Sequence, residues 1–153
     1  MSQPDYRLHR SSVWNRQQLA GFLDEQRLPL RLGIETDSGP LVVPLWFHFD
    51  GADFWCATQR DAMLVRALAA RPRCAIDVST NDIPYRGLRG RGQVTCVPER
   101  GAEVLERLIQ RYLNDDQNRL ARWLKSRSDT EVALRITPNW LTSWDFSDRM
   151  RGI

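Results

Sequence analysis

Apolar and polar positions recur with two different periods along this chain, and each change of period marks an element. Val13 to Leu23 places Leu19, Phe22 and Leu23 on one helical face, with Ser11 and Ser12 before it as capping residues and Pro29 ending the element. Leu30 to Glu35 alternates as a strand, Asp37-Ser38-Gly39-Pro40 is a turn, and Leu41 to Phe49 is β-branched and aromatic. Asp50-Gly51 turns the chain back into Ala52 to Thr58, which makes these strands adjacent and antiparallel. Pro44 removes a ladder donor, so its strand is interrupted there or faces something other than a neighbour. Asp61 to Ala70 reads as a short helix with Asp61 at or near its cap and Pro72 beyond its end. Cys74 to Val78 is a strand, Asn81-Asp82-Ile83-Pro84 a turn, and Tyr85 to Val97 a long strand studded with arginine and glycine. After Pro98 the helical period returns as a stripe of Val104, Leu105, Leu108, Ile109 and Leu113, which Asn114-Asp115-Asp116 breaks. Leu120, Ala121, Trp123 and Leu124 mark a further short helix. Glu131 to Ile136 and Trp140 to Phe146 read as two closing strands joined at Thr137-Pro138-Asn139.

These signals amount to about seven mostly antiparallel strands and four helices, an α+β fold on a barrel or tightly bent sheet. There is no βαβ rhythm, no repeat and no internal boundary, and the 153 residues suit one domain. No apolar run approaches the roughly 18 residues of a membrane span, and Met1 to Asp5 lacks a leader pattern, so the expected compartment is the cytoplasm. The stripe after Pro98 is read as core packing rather than as a membrane- or protein-binding helix.

Composition narrows the chemistry. Cys56, Cys74 and Cys96 are scattered in apolar stretches and read as buried, inert thiols. With only His9 and His48, a histidine-based metal site is excluded. Lys125 is the only lysine; the remaining cations are arginines, which cannot perform Schiff-base chemistry but suit phosphates and carboxylates. A net charge of +3 with no aromatic ladder among Arg86, Arg89 and Arg91 argues against a nucleic-acid tract. By strand alternation Arg89 and Arg91 share a face and Arg86 takes the other. Gly87, Gly90 and Gly92 mark close approach of backbone to a flat ligand or to another strand. Thr58-Gln59-Arg60 lies where a strand hands over to a helix, and the helix-start N–H groups, the Thr58 hydroxyl and Arg60 could bind an anion. Trp46, Trp55, Trp140 and Trp144 lie on or beside strands; core packing is preferred for Trp55 and Trp140. No Walker loop, dinucleotide glycine motif, nucleophile elbow or zincin motif occurs.

The order of these pieces resembles the pyridoxamine 5′-phosphate oxidase-like superfamily of flavin-binding split barrels, closest to its flavin/deazaflavin oxidoreductase branch. The landmarks are Pro40-Leu-Val-Val-Pro-Leu-Trp-Phe followed by Asp50-Gly51, Phe54-Trp-Cys-Ala-Thr58, the helix ending Ala-Ala-Arg-Pro72-Arg73, the Tyr85 to Val97 strand, and Pro138-x-x-Leu-x-x-Trp144-Asp145-Phe146. The resemblance implies a six-stranded antiparallel split β-barrel with flanking helices. The resemblance runs from about Leu30 to Arg149, and the chain is expected to be a single domain over 1–153 with residues 1–28 as an N-terminal helical segment packing on the barrel. The resemblance further implies a homodimer with FMN at the interface and hydride transfer to or from a small molecule; the residue patterns above add the expectation of no nucleic acid or membrane as partner and no metal. Under it, Val43, Pro44, Leu45 and Trp46 lie along the ring, and Thr58, Arg60 and Arg66 hold the phosphate. Arg86 and Gly87 pass the ring edge, and Trp144 walls the pocket. Two alternatives remain open. One is a deazaflavin coenzyme whose anionic tail meets Arg89 and Arg91. The other is a catalytically silent ligand-binding protein, favoured by Ala62-Met63-Leu64 standing where the family places phosphate-gripping residues.

Overall fold

A computed structural model describes residues 5–115 and 117–153. The leader reading at Met1 to Pro4 and the part of Asp116 in the helix break lie outside the described residues. The described chain forms eight strands: β1 (Arg7–Leu8), β2 (Leu30–Thr36), β3 (Gly39–Leu45), β4 (His48–Phe49), β5 (Phe54–Gln59), β6 (Arg73–Ser79), β7 (Arg86–Val97) and β8 (Glu131–Asp145). Four helices flank them: α1 (Arg16–Glu25), α2 (Met63–Ala70), α3 (Gly101–Leu113) and α4 (Arg119–Lys125). The sheet runs β3-β2-β6-β7-β8-β5-β4 and does not close, while β1 lies parallel to β8. This is the expected α+β split barrel, with six long strands and two of only two residues. No helix among the described residues is long and apolar enough to cross a membrane.

Alternation builds the core. Leu30, Leu32 and Ile34 of β2, Ile76 and Val78 of β6, and Leu134 and Ile136 of β8 point inward, and Leu19, Phe22 and Leu23 of α1 cover them. On the opposite face of the sheet, Val104 and Leu108 of α3 pack on Trp55 and Ala133. As expected, Trp55 is buried; Trp140 is only half-buried, 5.6 Å from the His9 ring.

Several local expectations are corrected. The cap of α1 is Asn15, whose side chain accepts from Gln18 N–H at 2.8 Å while Gln18 reaches back to Asn15 N–H at 3.0 Å. Ser11 and Ser12 instead bond Thr142 and Ser143 of β8, each at 2.8 Å. Asp61 lies next to the α2 cap, as expected; Ala62 holds the cap position without a capping side chain. Pro98 opens a 3-10 turn, Pro98–Arg100, and α3 begins only at Gly101. Cys96 is exposed on β7, unlike the buried Cys56 and Cys74.

The two closing strands are one. Across β7 and β8, Arg91 pairs with Trp140 but Gly92 with Pro138, so Asn139 is the extra residue of a bulge that carries Pro138 through the strand. A Cβ on Gly92 would stand 2.3 Å from the Thr137 carbonyl oxygen, so glycine permits this close approach of a second strand.

The long aromatic strand breaks after Leu45, and β4 resumes at His48. Pro40 and Pro44 sit on β3, the sheet's edge, opposite Glu35 and Arg31. Having no N–H, they leave the ladder to Leu41, Val43 and Leu45, and the alternate main-chain groups point away from β2.

Candidate functional site

The chain leaves β5 at Gln59 and is pinned at once. Arg60 N–H donates to the Thr130 carbonyl at 2.9 Å, and Ala62 N–H to the Gln59 carbonyl at 3.0 Å. Helix α2 starts from this turn. Val65 N–H bonds the Ala62 carbonyl at 3.0 Å, and no side chain caps the first turn. The Met63 and Leu64 N–H groups therefore stand at a bare, positively polarised helix end. Arg66 folds back over that end, its Nη1 donating to the Asp61 carbonyl at 2.7 Å. Thr58 is half-buried at the close of β5, opposite Val132, and Arg60 is exposed. Thr58, Arg60 and Arg66 thus flank the start of one helix.

Two hollows open from this helix across the outer face of the sheet. The first, about 690 Å³, lies between α2 and the β2–β3 turn and is lined by Met63, Arg66, Ala67 and Arg71 facing Gly39 and Leu41. The second, about 770 Å³, runs past Val42 over Gly33 and Ala75 to Arg73 and Arg91. Pro40, Leu41 and Arg71 border both. The floor of the second is flat because Gly33 and Ala75, paired across β2 and β6, have almost no side chain. Leu41 and Val42, 39% and 64% exposed, leave an apolar strip beside the arginines. Asp37 is held by Arg71 at 2.9 Å, an exposed pair of little energetic weight.

These walls suit a flat, anionic molecule and supply little acid–base chemistry. Burial pushes the Cys74 thiol, which borders the second hollow, up to about 11, so it is no nucleophile at neutral pH. Among the described residues no group of three or more His, Cys, Asp or Glu could hold a metal.

The remaining expected site residues lie elsewhere. Val43 and Leu45 pack on the core, Pro44 is exposed, and Trp46 stacks on Tyr112 with centroids 4.9 Å apart and planes 7° apart. Gly87 pairs with Trp144 on the neighbouring strand, and Arg86 lies 5.6 Å over the Phe22 ring. None of these lines either hollow, and neither do Thr58 and Arg60; of the expected cofactor-binding residues only Arg66 does. Arg89 and Arg91 do share the exposed face, but only Arg91 reaches the second hollow; Arg89 lies 5.4 Å over the Trp144 ring. The lining residues that sequence reasoning missed are Leu41, Arg71, Arg73, Gly33 and Ala75. The one legible signal among them was the consecutive apolar pair Leu41-Val42 between two prolines.

A family model described as pyridoxamine 5′-phosphate oxidase matches residues 15–143. No curated protein matches the chain. Among solved structures, a conserved hypothetical protein of Mycobacterium tuberculosis superposes with a TM-score of 0.75 at 21% identity, covering 91% of this chain and 89% of that one. An F420 reductase gives a TM-score of 0.67 at 25% identity over 79% of this chain and 94% of its own. A FAD-binding protein of Mesorhizobium loti gives 0.62 at 17% identity over 85% and 92%.

Proposed function

The chain belongs to the pyridoxamine 5′-phosphate oxidase family, and from that premise we propose that it is an FMN-dependent oxidoreductase, working as a cytoplasmic homodimer on a small molecule. The observation that carries this reading is the bare start of α2 with the Arg66 guanidinium laid over it. A terminal phosphate needs such an arrangement: N–H donors with no side chain in the way, and a charged fork beside them. The adjoining hollows fall in the range of small-molecule sites, about 300–1,000 Å³, and the exposed face of β3 offers an apolar strip against which a planar ring can lie.

Bound FMN supplies the hydride-accepting and hydride-donating ring. The chain's own residues bind and orient it. Thr58, Arg60 and Arg66, with Met63 and Leu64 N–H, hold the phosphate. The main chain from Val43 to Trp46 runs along the ring. Arg86, Gly87 and Trp144 do not line the hollows of their own chain, so this reading has them serve the site of a second copy, Arg86 and Gly87 at the ring edge and Trp144 walling the pocket. The test is the visible absorbance of purified protein with and without added FMN, together with its melting temperature. Expected are a flavin spectrum perturbed by binding and a raised Tm. If neither FMN nor a deazaflavin moves either readout, the reading fails.

A second reading, a deazaflavin-dependent reductase, rests on Arg71, Arg73 and Arg91 around the second hollow, which suit a longer anionic tail, and on the likeness to an F420 reductase. Competition between the two cofactors separates the readings. Binding without turnover of any electron donor would mark the chain as a silent ligand-binding protein.

A further inference from the structure

We propose that α4 docks this protein onto the surface of anionic phospholipid bilayers. The helix buries Ala121, with Leu124 beside it, against Leu105 and Ile109 of α3. At 100° per residue Trp123 stands about 160° from Ala121, with Leu120 on the flank between it and Leu124, and Leu120 and Trp123 are 44% and 52% exposed. The Arg127 guanidinium lies 4.7 Å over the Trp123 ring.

Charge says what kind of partner fits. From Gln117 to Ser128 the chain carries Arg119, Arg122, Lys125 and Arg127 and no acidic residue, a local +4 in a chain whose net charge is +3. Lys125 is engaged with Glu106 at 3.3 Å, while Arg119, Arg122 and Arg127 are exposed around the two apolar side chains. An indole and a leucine standing out of a ring of arginines match the boundary between acyl chains and anionic headgroups, where each group finds its own medium. A nucleic acid would satisfy the arginines but give Leu120 no partner, and an acidic protein would need an apolar pocket for Trp123. Since α4 packs on α3, and α3 on β5 and β8, this face is separate from the hollows beside β2 and β3. The sequence expectation of no membrane partner came from the lack of a spanning segment; lying on a surface needs none.

The experiment is flotation of the full chain with vesicles of phosphatidylcholine alone and with about 30% phosphatidylglycerol, at about 100 mM salt. The parent should float with the anionic vesicles and at least about tenfold less with the neutral ones. The double variant Arg119→Gln/Arg122→Gln should bind about 30-fold more weakly, and Leu120→Ala/Trp123→Ala should also lose binding. Should the apolar variant fail to fold, the arginine variant decides, since its side chains are exposed. Four results would overturn the proposal: no flotation with either vesicle, equal flotation with both, variants that bind like the parent, or a variant-induced fall in molecular size by light scattering. The last would assign the face to a second copy. Loss of single-stranded DNA binding in the variants of a parent that ignores vesicles would overturn it in favour of a nucleic acid.

Discussion

Arg66 and Met63 make opposite predictions at one helix end. Arg66 offers a charge-assisted contact to a phosphate, so Arg66→Ala should weaken FMN binding about 10- to 100-fold in a fluorescence-quenching titration, with little change in Tm because the side chain is exposed. Met63→Arg adds a third cation, beside Arg60 and Arg66, at the same end and should strengthen binding. Glu131 is a different kind of residue. Its Oε1 accepts from Gln59 Nε2 at 2.8 Å, but Oε2 is buried without a partner. Burial raises its carboxyl above the ordinary 4.5. The folded chain therefore holds this proton more tightly than the unfolded one. The stability it contributes is complete below about pH 4.5 and is lost as pH rises through the folded value. Glu131→Gln removes the titration. The Tm difference between variant and parent should shift in the variant's favour between about pH 4 and pH 8, and a flat difference would contradict this account.

At the scale of elements, the capping box of α1 predicts that Asn15→Ala lowers Tm by about 2–4 °C, the effect of losing about 1 kcal/mol in a chain of this size. A methyl on Gly101, where α3 crosses β8, would stand 2.0 Å from the Glu131 carbonyl oxygen, so Gly101→Ala should be far more damaging in the same melt. These two positions also show what could be read in advance. Strands β2 and β6 were legible because each buries every second residue, a signal carried by the side chains alone. The start of α1 was misplaced because serine has more than one use: Ser11 and Ser12 bond residues 131 positions away, and no local rule contains that pairing. Pro138 and Asn139 look like a turn, and only the glycine across from them on β7 lets them stay in a strand. The site was legible in part. The start of α2 was found because it is local in sequence. Arg91 was read as a candidate for an anionic tail, but Arg71 and Arg73 were not, because they come from the end of α2 and from β6 and join Arg91 of β7 only through the register of the sheet.

For the molecule as a whole, ligand binding and stability are linked. If FMN binds the folded chain and not the unfolded one, a concentration of about 100 times Kd should add about 2.7 kcal/mol, or about 5–10 °C in Tm. The shift should follow FMN concentration logarithmically and shrink for Arg66→Ala.

The prolines of β3 carry one more consequence. A naked apolar strand at the margin of a sheet ordinarily invites the next chain to zip onto it, and then the next, toward a fibre. Here the outward rim presents a single amide donor within β3, that of Val42, with Pro40 on one side and Pro44 on the other. A visiting strand finds no row to pair with, so this margin can welcome a planar guest while refusing a polymer. Converting both prolines to valine should restore a row of outward donors and hasten thioflavin-positive aggregation while the ladder to β2 is kept.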